Sequence, residues 1–236
     1  MNGSTNGGVV GFNSNQADRM LFGVESAQMH SINYIRSCFW ELSNLIFHDI
    51  NVSGSKGTYG WHSPEAVTFE KNVFQKTYED LWKRTLRLYS EIYSKVENSI
   101  KLWAQTTGET YRVHALEAPH EMNFDEYPHA TATDRNGNIC INPALPAAIR
   151  AHRSEVIKVY EWDINIIMKD LSIPVYLGAN QQQAFQANAK HLLETLRDEI
   201  YNLHTLAADE IQKAADKYQR IARQVANSFN NGNITN

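Results

Sequence analysis

The stretch YGWHSPEAVTF, residues 59–69, decides the reading of this chain. Proline breaks a helix interior, but at the first helical position it forfeits no hydrogen bond, so Pro64 marks a helix start. Ser63 before it offers a hydroxyl to an early backbone N–H, and Glu65 places a negative charge in the first turn. Trp61 is expected just outside the helix, its ring covering the open end of a bend and its indole N–H within reach of a carbonyl. Ala66 and Phe69 should then face inward one turn apart, the small residue admitting an opposing helix.

Working outward, proline and glycine supply the boundaries. The chain has 236 residues and six prolines. The spans nearly free of both residues are 16–49, 64–105, 146–172 and 179–229, and these are the expected helices. Apolar spacing agrees with that division. Ile32, Ile35, Phe39, Leu42 and Ile46 form one stripe, and Phe74, Tyr78, Leu81, Thr85, Leu88 and Ile92 form a second. Val156, Tyr160, Ile164, Ile167 and Leu171 form a third. The last span carries Phe185, Ala189, Leu192, Leu196, Ile200, Leu203 and Ala207, then Ala214, Tyr218, Ile221 and Val225. Heptad-like spacing suits long helices packed at shallow angles.

The middle, 106–145, reads differently. It holds Pro119, Pro128 and Pro143, with Pro146 at its edge, and ATATDRNGNICIN alternates around Asn136-Gly137, a tight-turn signal. A small two-stranded hairpin or an ordered crossover is expected there. The fold class is all-α: two helix-turn-helix hairpins forming an elongated four-helix bundle. Disordered tails at 1–15 and 230–236 are expected to flank hairpins at 16–105 and 146–229.

The bend has a second, approximate copy in VYLGANQQQAF, where Tyr176 takes the place of Trp61 and Gly178 that of Ser63. A helical hairpin of about a hundred residues with Trp-x-Gly in its bend is the pattern of the WXG superfamily, the small proteins exported by type VII secretion systems, and this chain resembles it with Ser63 in place of the glycine in the first bend and Tyr176 in place of the tryptophan in the second. The chain looks like two such proteins fused. The resemblance implies a non-enzymatic, virulence-associated, secreted protein, a substrate or partner of an ESX-like system, whose hairpins act as the intramolecular equivalent of a WXG dimer. It also implies a Tyr-xxx-Asp/Glu export signal, which Tyr93 and Glu97 match, while Tyr218 is followed by Ala222 and lacks it. Implied partners are the secretion ATPase or other helical proteins, and a monomer suffices because pairing is internal. The alternative is an intracellular helical adaptor or chaperone-like protein that binds through an amphipathic groove.

Composition narrows the field further. Charged residues make up 20% of the chain and hydrophobic ones 42%, with a formal charge of -4, so no electrostatic footprint for nucleic acid is present. No span is apolar enough for membrane insertion, and the first twenty residues lack the basic start and apolar run of a secretory signal peptide. If the chain is exported it does not use the usual cleaved signal; secretion without one, with a cytoplasmic stage before export, is what the resemblance implies. Cys38 and Cys140 are too few for a disulfide framework. His114, Glu117, His120, Glu121, Asp125 and His129 gather near one another, but Pro119 prevents a helix from aligning them and the HExxH spacing is absent. Asp134, Asn136 and Asn138 lack the glycine position and terminal glutamate of a calcium loop and read as a turn. With no nucleophile elbow, phosphate loop or dinucleotide fingerprint, no cofactor, metal or catalytic residue is assigned. Cys38 reads as a helix-face residue, and Trp82 and Trp103 as core.

Overall fold

The structure, a computed structural model, describes residues 11–49, 60–112, 114–120, 123–170 and 179–232. Helix α1 spans Ser14–Phe47, strand β1 Trp61–His62, α2 Pro64–Phe69, α3 Gln75–Thr106, strand β2 Cys140–Ile141, α4 Leu145–Asp170 and α5 Ala179–Gly232. A π-helical turn, Glu70–Phe74, joins α2 to α3, and a short 3-10 turn covers Phe124–Glu126. The chain is thus all-α apart from one pair of two-residue strands, and every helical boundary lies within three residues of the punctuation-based spans. No described helix is long and apolar enough to cross a membrane.

Local chemistry explains the ends. Asn13 caps α1, its side-chain oxygen accepting from the Gln16 N–H at 3.1 Å. Ser63 caps α2 by accepting from the Ala66 N–H at 3.3 Å, and Pro64 occupies the first turn as expected. At the far end of α3, Gly108 takes φ 75°, and the Glu109 N–H reaches back to the Ala104 carbonyl at 2.9 Å. That left-handed closure favours glycine.

The 64–106 segment differs from the expected single α-helix. Its buried positions run Ala66, Phe69, then Phe74, Tyr78, Leu81. The five-residue step from Phe69 to Phe74 is too long for an α-turn, which would rotate the later residues off the inward face. A π-turn, with the Gln75 N–H bonding the Glu70 carbonyl five residues back, absorbs the extra residue and restores the phase.

In the middle segment the ordered crossover forms, and not the local hairpin. Asp134 N–H bonds Asn138 O at 2.8 Å and Gly137 sits at φ 79°, so the turn forms where Asn136-Gly137 puts it. The strand that follows does not fold back on the preceding residues, however. Cys140–Ile141 pairs antiparallel with Trp61–His62, in the register Trp61 to Ile141 and His62 to Cys140. The Asp134 carboxylate closes the turn itself, accepting from the Asn136 and Asn138 N–H groups at 2.8 and 2.7 Å, and the strand beyond it pairs at a distance.

Two compact units divide the chain, with boundaries inside α1, α3, α4 and α5, so each draws on both expected hairpin segments. One gathers the described residues of Met1–Ile32, Lys83–His120 and Asp163–Glu194. There the Phe12 ring meets Trp103 and Tyr111 edge-on at 4.9 and 5.4 Å, and the Tyr111 hydroxyl donates to Asp18. The buried hydroxyls of Ser31 and Tyr89 bond at 2.7 Å. Trp103 is in the core, as its spacing suggested.

The other unit gathers the described residues of Asn33–Trp82, Glu121–Trp162 and Thr195–Asn236. Phe39 on α1 packs edge-on against Phe74 and Tyr78 at 5.0 Å each, and Arg36 lies over the buried Trp82 ring. Such aromatic contacts add to area burial. Tyr34 stacks on Tyr160 at 4.1 Å and donates to the Val156 carbonyl at 3.0 Å, fixing α1 against α4. Between α4 and α5, Arg150 reaches Asp209, His152 meets His204, and Arg197 approaches Glu161, so the two helices run in opposite directions.

His204 lies in the core of this unit, at 1% exposure. Its Nδ1 lies 2.8 Å from the Ile200 carbonyl and must carry the proton, leaving Nε2 to accept from His152 Nδ1 at 3.1 Å. His152 Nε2 in turn faces Glu41 at 3.0 Å. Burial pushes the His204 pKa down to about 4, with the nearby His152 and Arg153 adding to the fall against the Ile200 carbonyl. A folded-state value below the ordinary 6.5 means the buried neutral ring contributes stability at neutral pH that is lost as pH falls through that window towards about 4. Denaturant titrations at pH 7 and pH 4.5 should therefore show a loss of stability that His204→Leu makes shallower.

Candidate functional site at the Trp61 corner

The connection between α1 and α2 is built around close contacts. Gly60 lies so near the end of α1 that a Cβ there would stand 2.8 Å from the His48 carbonyl oxygen and 2.9 Å from that of Ile46. Its own N–H donates to Asp49 at 3.1 Å. Only glycine permits that approach of backbone to backbone.

Trp61 follows at 1% exposure, its ring 5.6 Å from that of Phe69. Ala66 and Phe69 are buried beside it, as their spacing required. One expectation is corrected: the Trp61 Nε1 is buried with no hydrogen-bond partner among the described residues. The ring is held as a hydrophobe, and the polar backbone around it is spent on the pairing with Ile141.

His62 points the other way along the strand. Its Nε2 lies 2.8 Å from Asp49 and its Nδ1 2.8 Å from the Thr131 hydroxyl, joining the end of α1 to the middle segment. Burial works to raise the Asp49 pKa, but the bonds from His62 and Gly60 and the charges of His62 and Arg135 outweigh it and hold the carboxyl below its usual range.

Two carboxylates on the following helical turns make the same kind of tie. Glu65 accepts from Lys217 at 2.5 Å and from the Tyr218 hydroxyl at 3.0 Å, linking α2 to α5. Against the effect of burial, Lys217, the Glu65 backbone N–H, Ser63 and Tyr218 bring its pKa down to about 2. Glu70, buried on the π-turn, accepts from His129 Nδ1 at 2.6 Å and from the Ala130 N–H at 3.1 Å. A groove of about 410 Å³ runs beside them, lined by Pro64, Glu65, Thr68, Phe69, Asn72 and Glu210.

The remaining sequence-derived residues fall elsewhere. Tyr176 and Gly178, the second copy of the bend, lie outside the described residues. Tyr93 is buried within α3 and donates to the His114 carbonyl at 2.7 Å, while Glu97 accepts from Lys101 one turn on. Burial, with Glu25 and Glu97, lifts the Tyr93 pKa above its ordinary value. Of the middle histidines and acids, His129 is engaged with Glu70, and His114, Glu117, His120 and Asp125 are exposed. Glu121 lies outside the described residues. No group of three or more His, Cys, Asp or Glu among the described residues is placed to hold a metal.

Cys38 is buried in the core. Burial and its bond to Asp134 push the Cys140 thiol up to about 11, which favours the protonated form at neutral pH. The corner is chemically equipped to hold a shape and to present a groove. Sequence reading missed the His62, Glu65 and Glu70 ties, whose partners are distant in the chain. It also missed His152 and His204, although His152 sits four residues before the Val156–Tyr160 stripe and His204 directly after Leu203.

Compared with family models, curated proteins and solved structures, the chain shows no significant match.

Gly60→Ala tests the corner directly. The added methyl meets two backbone carbonyls that cannot rotate away, so a destabilisation of about 1–3 kcal/mol in urea unfolding is expected.

Proposed function

We propose that this chain is a non-enzymatic helical protein handled as a substrate or partner by a type VII, ESX-like secretion system, with two helix pairs in one chain standing in for a WXG dimer. The observation that carries the reading is the corner: Trp61, buried at 1% exposure, and Ser63, the cap of α2, lie between two long helical segments. Support also comes from contacts that run in opposite order along α1 and the segment of the π-turn and α3, where Phe47 meets Phe74 and Phe39 meets Tyr78. The opposed α4 and α5 supply the second pair. Joining both pairs in one polypeptide replaces an association equilibrium by an internal one at high effective concentration.

Tyr93 is buried with its hydroxyl engaged, so a receptor that reads Tyr93 and Glu97 as an export signal has to bind a state in which this part of α3 has opened. The Trp61 corner therefore carries the reading without it. An intracellular adaptor is the second reading, favoured by the open groove beside Phe69 and Asn72. Localisation separates the two. A tagged chain expressed in its native host should reach the culture filtrate, and an isogenic strain lacking the secretion ATPase should retain it in the cells. Equal export from both strains, or retention in both, overturns the secretion reading.

A further inference from the structure

The core stripe of α5 does not stop where its cover does. Ile200, Leu203, Ala207, Ile211 and Ala214 are buried, with Ala215 beside them. The same spacing continues through Tyr218, Ala222, Val225 and Phe229, yet residues 219–229 are all exposed and Tyr218 is only half-buried. Ile221 is 43% exposed, Val225 49% and Phe229 72%. Expectation from periodicity put Tyr218, Ile221 and Val225 inside; Tyr218 is half-covered and tied to Glu65 at 3.0 Å, while Ile221 and Val225 stand exposed.

The charges of this segment are sorted to the other side. At 100° per residue, Lys213, Asp216, Arg220 and Arg223 fall on the face opposite Tyr218, Ala222, Val225 and Phe229, and Lys217, at the side of the stripe, is paired with Glu65. The positions that flank the stripe, Gln212, Gln219, Ala226 and Ser228, are uncharged. In a helix pair those flanks face one another, and in a pair of identical helices charged flanks would meet their own sign. Their neutrality removes that repulsion for a second copy of the same helix.

A receptor for the exposed phenylalanine lies on the same chain. Ile139, Ile141, Pro143, Ala215, Tyr218 and Ala222 line an apolar groove of about 270 Å³ beside the start of the uncovered stripe. An antiparallel pair that sets Ala222 opposite Val225 sets Phe229 of one copy opposite Tyr218 of the other, at the mouth of this groove. The arrangement is self-complementary, as a two-fold interface requires.

From the continuity of the core stripe, the outward sorting of charge and the fit of knob to groove, we infer that residues 215–229 form a homodimerisation helix that pairs antiparallel with the same segment of a second copy. The internal helix pairs make each chain complete by itself, so this contact is additional to the pairing within the proposed function. A seam of about four layers is short compared with stable interfaces, which places its affinity in roughly the micromolar range.

Sedimentation velocity of the full chain from about 1 to 100 µM should show a dimer that grows with concentration. Phe229→Asp should weaken it at least tenfold without loss of helicity by circular dichroism, and Arg220→Glu, on the outer face, should leave it unchanged. A monomer at every concentration overturns the inference, as does a dimer indifferent to Phe229→Asp. A monomer that co-sediments with phosphatidylcholine–phosphatidylserine vesicles overturns it too, and assigns the stripe to a lipid surface.

Discussion

The contact on which the rest depends is the approach of Gly60 to the carbonyls that end α1. It fixes where the chain re-enters the fold after the first helix, and hence where Trp61 is buried and where Pro64 can begin the next helix. Strand β1 leaves that point with its backbone groups available, and β2 takes them up. Two further ties, His62 to Thr131 and Glu70 to His129, then hold the middle segment against the same short region. A proline-rich connection that could not form a core of its own is kept in place by polar contacts to a helix start. Partly exposed ties of this kind each contribute little. Their value lies in convergence on one rigid turn.

The helices were legible because their ends are marked chemically. Ser63-Pro64 and the proline at 146 are local signals that need no tertiary partner. Burial along α1 followed from spacing, with Ile32, Ile35, Phe39, Leu42 and Ile46 all inside. What escaped was non-local. Nothing near Cys140 announces that its strand will pair with Trp61–His62, because the partner of Cys140 is His62, far earlier in the chain, on a strand two residues long. The step from Phe69 to Phe74 was visible but was absorbed into a looser helical pattern, and only the π-turn shows why it is five. Periodicity identifies the apolar side of a helix and says nothing of whether anything lies on it. Tyr218, Ile221 and Val225 keep the rhythm of a core without being one.

The candidate site was half legible for the same reason. Trp61, Ser63, Ala66 and Phe69 act through near neighbours in the sequence, and their places follow from one quoted stretch. Glu65 and Glu70 act through Lys217, Tyr218 and His129, and a carboxylate near a helix start gives no hint of which distant donor it will find. His204 is the clearest case: its position on α5 suggests a core residue, but only His152, Glu41 and the Ile200 carbonyl define its proton.

The wide turn at Glu70–Phe74 gives α2 and α3 together one residue more than a continuous α-helix needs between its inward positions. Lys71 and Asn72 on that turn are exposed. Removing either would let the segment wind as an ordinary helix with Phe69 and the following aromatic four apart, so neither side would lose its facing. Elsewhere along these helices a deletion would swing every later side chain by about 100°. The turn is thus a place where the chain could lose one residue and keep both helical faces in register, separated from the Ser63 cap by the six residues of α2.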